Sequence, residues 1–415
     1  MRKLIVTIII GFSLFNTARP CTIFTITHNG KTYFCNNEDL DRTDTELRVY
    51  PAEQGKFGWI YLGYSNDWAQ GGVNEKGLCW DWVAGYNEDS WKEDEDKLTV
   101  DRNPSEKMIK ECATVDEAIN FYKTHNEPSF SVGRIMIADK FGNSAIIRWK
   151  DGKIDIQKNN ELQILGFRGE CIKSYFANNP GEINVSYLAD ALNAPHQGKD
   201  NPTQYSNIIS LNDGKIYLFK SHDYNAYLEI DYLKLLQSSN VNYKLTDLFH
   251  EIELSEIKYF KRQKLTSLQS NGKLKNGIKY QYYEGAWDFL PDFKTIEAKF
   301  SGVVDNFHLN KRQSETNFAL RFNGYIEIEQ DGVYTFYLNS NDGSQLFLDN
   351  RLVVANYGKH ALFEESGKVD LEKGIHKITV LYFQAQGSYG LEVSYKSEKF
   401  DKTRIPETIL YYNEN

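Results

Sequence analysis

Residues 21–40 read CTIFTITHNGKTYFCNNEDL. Two runs rich in β-branched and aromatic residues, CTIFTIT and KTYFCN, flank Asn29-Gly30. Asn-Gly between such runs is a strong sign of a two-residue hairpin, because both turn positions take positive φ. The stretch therefore predicts a hairpin over 21–36, with Cys21 at its free end and NNEDL (36–40) running out of its second strand.

What precedes Cys21 changes how that cysteine is read. Arg2 and Lys3 form a positive start, Leu4 to Phe15 a short apolar core, and Asn16 to Pro20 a polar exit. This is the pattern of a secretory signal over 1–20, too short for a membrane-spanning helix, so export to the periplasm or beyond is expected. Three readings of Cys21 follow: a lipid-anchor cysteine, half of a disulfide with Cys35, or a nucleophile that becomes the first residue of the mature chain. Arg19-Pro20 suits signal peptidase poorly. Cleavage after Ala18, with Cys21 then removing Arg19-Pro20 itself, is the expected route to a free terminus. Cysteines 21, 35, 79, 112 and 171 are odd in number and match no zinc spacing.

Composition narrows the class. With 415 residues, 41% hydrophobic and 25% charged, the chain has room for two or three domains and is no disordered polymer. A net charge of −9 argues against nucleic acid or anionic membrane as a partner, and no later segment is apolar enough to span a bilayer.

Hairpins are predicted at 132–149 and 204–219, the latter turning at Asn212-Asp213-Gly214. Pro104 after Asn103, and Thr114 with Glu117, mark two helix starts; Ser186 begins a third helix, and a charged helix is expected from about Leu245 to Leu265. Paired strands with helices between them indicate an α+β layered domain over 21–265. SLQSNGKLKNG (267–277) has linker composition, giving a linker over 266–277. Beyond it, 278–412 alternates short strands with Gly, Asn and Asp turns, the pattern of an all-β sandwich.

A cysteine at a mature N-terminus carries its own base. The thiolate attacks, and the α-amino group, titrating near ~7.7–8.0, can take the thiol proton and later pass it to a leaving amine. A carboxylate must hold that amine, and donors must face the scissile carbonyl. CTIF, then NNEDL, then GGVNEKGL (71–78), then TQYSNIISLNDGKIYLF (203–219) together resemble the choloylglycine hydrolase and penicillin V acylase family of N-terminal-nucleophile hydrolases. The resemblance implies a four-layer αββα fold and cleavage of linear amides. It implies Cys21 as nucleophile, Asp39 as the carboxylate on its amine, Asn74 in the turn leading to the substrate strand, and Ala84 as the oxyanion backbone N–H. It implies Lys173 in place of a later arginine, a role that can also pass to Arg168. It departs from the family at Asn36-Asn37, where Arg-Asn is usual, and at Leu165-Gly166, where a Thr-Asn pair is usual. The aromatic run WDWVAGY (80–86) is expected mainly in the core, with part of it lining an acyl pocket.

The second half, from YQYYEGAWDFLPDF (280–293) through NFALRFNGYIEI (317–328), DGVYTFYLNSNDGSQLFLDNRLVVAN (331–356) and GLEVSY (390–395), resembles the β-sandwich named after the anthrax protective antigen. That resemblance implies carbohydrate or cell-surface binding. Ca²⁺ enters only at Asn341-Asp342, where one of two acidic residues is replaced, so a structural turn is the favoured reading. Tyr357 and Tyr389 are candidate sugar-stacking rings. The amidase chemistry needs no cofactor. The expectation is an exported hydrolase of small N-acyl amides, held at glycans or cell surface by its second domain. The alternative is a non-catalytic surface-binding protein with a degenerate first domain.

Overall fold

The computed structural model describes residues 21–66, 68–197, 201–249, 254–268 and 273–414; the predicted leader lies outside them. The hairpin forms as the Asn-Gly turn dictates. Strands β1 (Thr22–His28) and β2 (Lys31–Asp39) pair from Thr22–Asn37 to His28–Lys31, with Asn29 and Gly30 at φ 49° and 74°. β2 runs to Asp39, which carries the NED stretch into the sheet.

Around this hairpin a seven-stranded sheet assembles in the order 163–166, β1, β2, 203–210, 215–220, 226–231, 257–261. An eight-stranded sheet faces it, in the order 241–244, 45–50, 59–64, 71–74, 78–84, 133–139, 144–150, 153–159. The 132–149 and 204–219 hairpins both appear. Between the sheets lies an apolar cluster that includes Cys21, Ile23, Phe34, Ile60, Val73, Val83 and Tyr205.

Helices cover both outer faces. α1 (Pro104–Glu111) is capped by Asn103, and α2 (Val115–Thr124) by Thr114, whose oxygen accepts from the Glu117 N–H. Both pack on Trp59, Trp80 and Trp82 of the eight-stranded sheet. α3 (Gly169–Asn178) and α4 (Val185–Asn193) cover the other sheet, against Phe24, Cys35, Ile208 and Phe219. The result is the αββα arrangement.

Three features differ from expectation. α3 was not foreseen: its cap position is Arg168, which makes no side-chain capping bond, so the usual start signal is missing. α4 is capped by Asn184 rather than started by Ser186. The helix expected over 245–265 is one turn, Leu245–Leu248, followed by the strand Ile257–Lys261; residues 250–253 lie outside the described set. The run IKYFK pairs with 226–231 at the sheet edge, and pairing overrides the helical reading of its charges.

The second unit is a sandwich. One sheet is built around the strands 318–328 and 374–384, and the other has the order 363–371, 332–341, 390–397, 400–404. Ile278, Phe318, Phe336, Leu338, Val380 and Tyr382 fill the space between them. In the stretch read as linker, Leu274–Asn276 form a strand against 410–413 and the Ser267 amide donates to the Glu372 carboxylate; just before it, the Leu265 amide donates to the Asp370 carbonyl. The sandwich docks on α3 and α4. Phe293, Phe347, Leu352 and Phe383 share one buried cluster with Tyr175 and Leu192, and Asn193 Nδ2 donates to the Leu352 carbonyl at 3.1 Å. The two helices thus lie between the seven-stranded sheet and the sandwich, each with one side buried.

Candidate active site

Pleating sorts the residues around Cys21. Cys21 and Glu38 turn toward the space between the two sheets, whereas Asn37 and Asp39 turn toward α4 and the chain beyond it. The carboxylate that meets the thiol is therefore Glu38: Cys21 Sγ–H donates to Glu38 Oε1 at 3.3 Å. Asn36 Nδ2 donates to Glu38 Oε2 at 3.1 Å and to Asp81 Oδ2 at 2.8 Å, bridging two acids. Asp81 comes from the strand 78–84 of the opposite sheet. Cys21, Glu38 and Asp81 are each 6% exposed.

Asp39 is buried on the other face of β2. Its Oδ2 accepts from Arg168 Nη2 in an ion pair, and its Oδ1 accepts from Thr203 Oγ1 at 2.5 Å. Arg168 Nε also donates to the Pro195 carbonyl at 2.7 Å. The guanidinium is thereby fixed in plane behind the nucleophile strand.

Burial dominates the electrostatics. It pushes Glu38 up to about 7 and Asp39 up to about 6, the latter held back by Arg168 and Thr203. Asp81 is pushed up by burial and by Glu38. The Cys21 thiol is pushed well up by burial and then by Glu38, Asp39 and Asp81, while the Asp39 backbone N–H opposes the rise. With its amine still in a peptide bond, Cys21 is a protonated thiol in an acidic pocket. All five cysteines are buried and unbridged, so Cys21 and Cys35 form no disulfide.

The other expected residues fall as follows. Asn74 is buried, but its Nδ2 donates to the Ile109 and Cys112 carbonyls, and its Oδ1 accepts from the Lys76 and Leu78 amides. Its side chain holds the NEKGL turn against the end of α1. Ala84 is the exposed last residue of its strand, next to Val83 of the Cys21 cluster. Lys173 is exposed on α3 and pairs with Glu170 at 2.6 Å, so the structure does not bring it to Cys21; Arg168 is the cation that lies near. Gly166, at φ 127°, packs on the nucleophile's own backbone, and a Cβ there would sit 2.6 Å from the Cys21 carbonyl oxygen.

Residues that sequence reasoning missed complete the surroundings. Glu38 and Asp81 gave no signal beyond being acidic, one in the NNEDL stretch that leaves the hairpin and the other in the aromatic run WDWVAGY. Tyr86 stacks on Phe167 at 4.6 Å, carries the Arg134 guanidinium 3.8 Å above its ring, and its hydroxyl meets the Gly166 backbone N–H. In the sandwich, Asp342 Oδ1 accepts from His360 N–H and Oδ2 from Ala385 N–H, at 2.9 and 2.8 Å. Asp342 thus ties the chain around His360 to that around Ala385. No cluster of three or more His, Cys, Asp or Glu able to hold a metal occurs among the described residues. Tyr357 stacks on Phe289, and Tyr389 lies under Arg312.

Comparison with known proteins accords with this division. Residues 25–165 match the sequence model of the acyl-coenzyme A:6-aminopenicillanic acid acyl-transferase family, and residues 274–408 match the PA14 domain. Over 224 residues, half of this chain, it is 26% identical to the anti-sigma-I factor RsgI3 of Acetivibrio thermocellus, and it spans 31% of that protein's length. Among solved structures, a variant conjugated bile acid hydrolase from Clostridium perfringens matches at 15% identity and TM-score 0.41, covering 60% of this chain and 99% of that one. Penicillin V acylase from Agrobacterium tumefaciens matches at 15% identity and TM-score 0.39, covering 48% and 82%. The two sequence matches, each over about a third of this chain, place residues 25–165 with the acyl-transferase family of the N-terminal-nucleophile penicillin acylases and residues 274–408 with the PA14 domains.

Proposed function

We propose that this protein is an exported hydrolase of linear amides whose nucleophile is Cys21, freed as the first residue of the mature chain. The observation that carries the reading is the seat of Cys21 at the head of β1, facing Glu38 between two sheets of an acylase-type domain. The α-amine takes the thiol proton and Sγ attacks the carbonyl carbon. The S–C bond forms and the C–N bond breaks. The amine hands the proton to the leaving nitrogen, and water then cleaves the acyl-thioester, returning the thiol. Asp39, fixed by Arg168 and Thr203, orients the amine, and the backbone N–H of Ala84 serves the oxyanion. A free α-ammonium also supplies positive charge that the acids around Cys21 lack, lowering the thiol toward reactivity. The PA14 domain holds the enzyme at glycans or the cell surface. Cys21→Ala should abolish turnover of N-acyl amides while the far-ultraviolet circular dichroism stays unchanged; retained turnover refutes the mechanism.

A second reading, a surface-binding protein with a silent first domain, is favoured by one observation. Leu165-Gly166 supplies no side-chain donor beside Cys21, and losing one oxyanion donor costs roughly 10²–10³ in rate. Iodoacetamide separates the two. An activated Cys21 is alkylated faster than Cys35, Cys79, Cys112 and Cys171, and a silent one is not.

A further inference from the structure

Glu38 and Asp81 form no ion pair among the described residues, although both are buried beside the nucleophile. The nearby Arg168 is committed to Asp39 and the Pro195 carbonyl on the far face of β2. Their seat is built. Asn36 holds one oxygen of each acid with a single amide group. Gly71 stands opposite Asp81 in register, and a Cβ there would lie 2.6 Å from Asp81 Cγ, so the glycine makes the room. The hydroxyl of Tyr205, a residue 1% exposed and paired in register with Glu38, has no hydrogen-bond partner among the described residues, and Glu38 and Asp81 act on it ahead of Tyr64 and Tyr61. A polar group without a partner at that depth is costly unless a ligand satisfies it.

Asp39 holds the α-ammonium of Cys21 in the proposed mechanism, so Glu38 and Asp81, whose ionisation burial opposes, have no cation of their own. We propose that Glu38 and Asp81, with Tyr205, form a subsite for a positively charged group of the substrate, an ammonium carried within two or three bonds of the scissile carbonyl. This rests on the amidase reading and names its substrate class: cationic N-acyl amides such as aminoacyl amides. The short distance from Sγ to Glu38 sets the spacing, because a cation seated there lies next to the carbon that sulfur attacks. Its charge also offsets the two acids that hold the thiol protonated, so a neutral substrate both binds less and activates less.

Two measurements test this. In isothermal titration, the full chain carrying Cys21→Ser is given β-alaninamide, cationic at pH 7, or butyramide, its uncharged isostere. The cation should bind at least tenfold tighter, and Asp81→Asn or Glu38→Gln should remove most of that preference. In turnover, the unmutated enzyme should favour β-alanyl over butyryl p-nitroanilide at least tenfold in kcat/KM, a readout that needs no variant to fold. Equal binding, a preference for butyramide, or a preference that survives both substitutions overturns the subsite. Hydrolysis of both anilides without cation preference overturns the subsite but leaves the amidase. Cation-selective binding with no hydrolysis of either overturns the amidase and leaves the acidic seat.

Discussion

Arg168 is the natural place to perturb the site without touching the nucleophile. Its side chain and that of Asp39 are 2% and 0% exposed. Arg168→Met keeps apolar bulk but leaves a buried carboxylate without its cation, which typically costs ~3–5 kcal/mol. The loss should depend on pH in a fixed direction. Asp39 has a folded-state value near 6, above its unfolded value of about 3.9, so the folded state binds more protons and stability falls as pH rises through that window. Without Arg168 nothing comparable holds the rise in check, so the window widens upward. The destabilisation should therefore be larger at pH 8 than at pH 5. Adding Asp39→Asn removes the stranded charge and should recover most of the loss. Urea unfolding followed by tryptophan fluorescence reads this out for the first domain, because every tryptophan except Trp287 precedes residue 150. A loss below about 1 kcal/mol, or an equal loss at both pH values, would refute the view that Asp39 is an ionised group held by Arg168.

Gly166→Ala forces a Cβ against the Cys21 carbonyl at 2.6 Å and the Thr22 Cα at 2.9 Å, with φ at 127°. Because both neighbours are backbone, β1 must shift, costing on the order of 1–3 kcal/mol, and turnover should fall roughly tenfold or more; normal turnover per folded molecule would contradict the packing. Asn74→Ala breaks hydrogen bonds to four backbone groups, so the urea midpoint should drop by the equivalent of ~2–3 kcal/mol while turnover of the folded protein is kept. Lys173→Ala should change stability by less than about 0.5 kcal/mol and leave turnover unaltered, since its partner Glu170 is exposed with it.

The hairpins and capped helices were legible because their signals are local. Asn29-Gly30, Pro104 after Asn103, and Thr114 with Glu117 each specify a backbone geometry within four residues. α3 and the edge strand 257–261 were not legible, since one lacks a side-chain cap and the other exists through its pairing with 226–231. The site divides the same way. Cys21 was expected from its place behind a leader-like segment, and Asp39 and Ala84 from resemblance alone. Which acid faces sulfur could not, because it depends on the pleat of β2 and on a register shift between Thr203 and Tyr205 opposite Glu38-Asp39. Asp81 reaches the site from the opposite sheet, 60 positions along the chain from Cys21, and no local motif marks it. Lys173 illustrates the converse, a matched position that α3 carries to the surface.

The most direct test of Cys21 as an N-terminal nucleophile is the intact mass of protein exported by a bacterial host, measured before and after acid quench of a reaction with an N-acyl p-nitroanilide. The mechanism predicts a chain beginning at unmodified Cys21 and a mass increase equal to the acyl group on its N-terminal peptide. A chain that keeps Arg19-Pro20, a lipid-modified Cys21, or a correct terminus that never gains acyl and releases no product would contradict it.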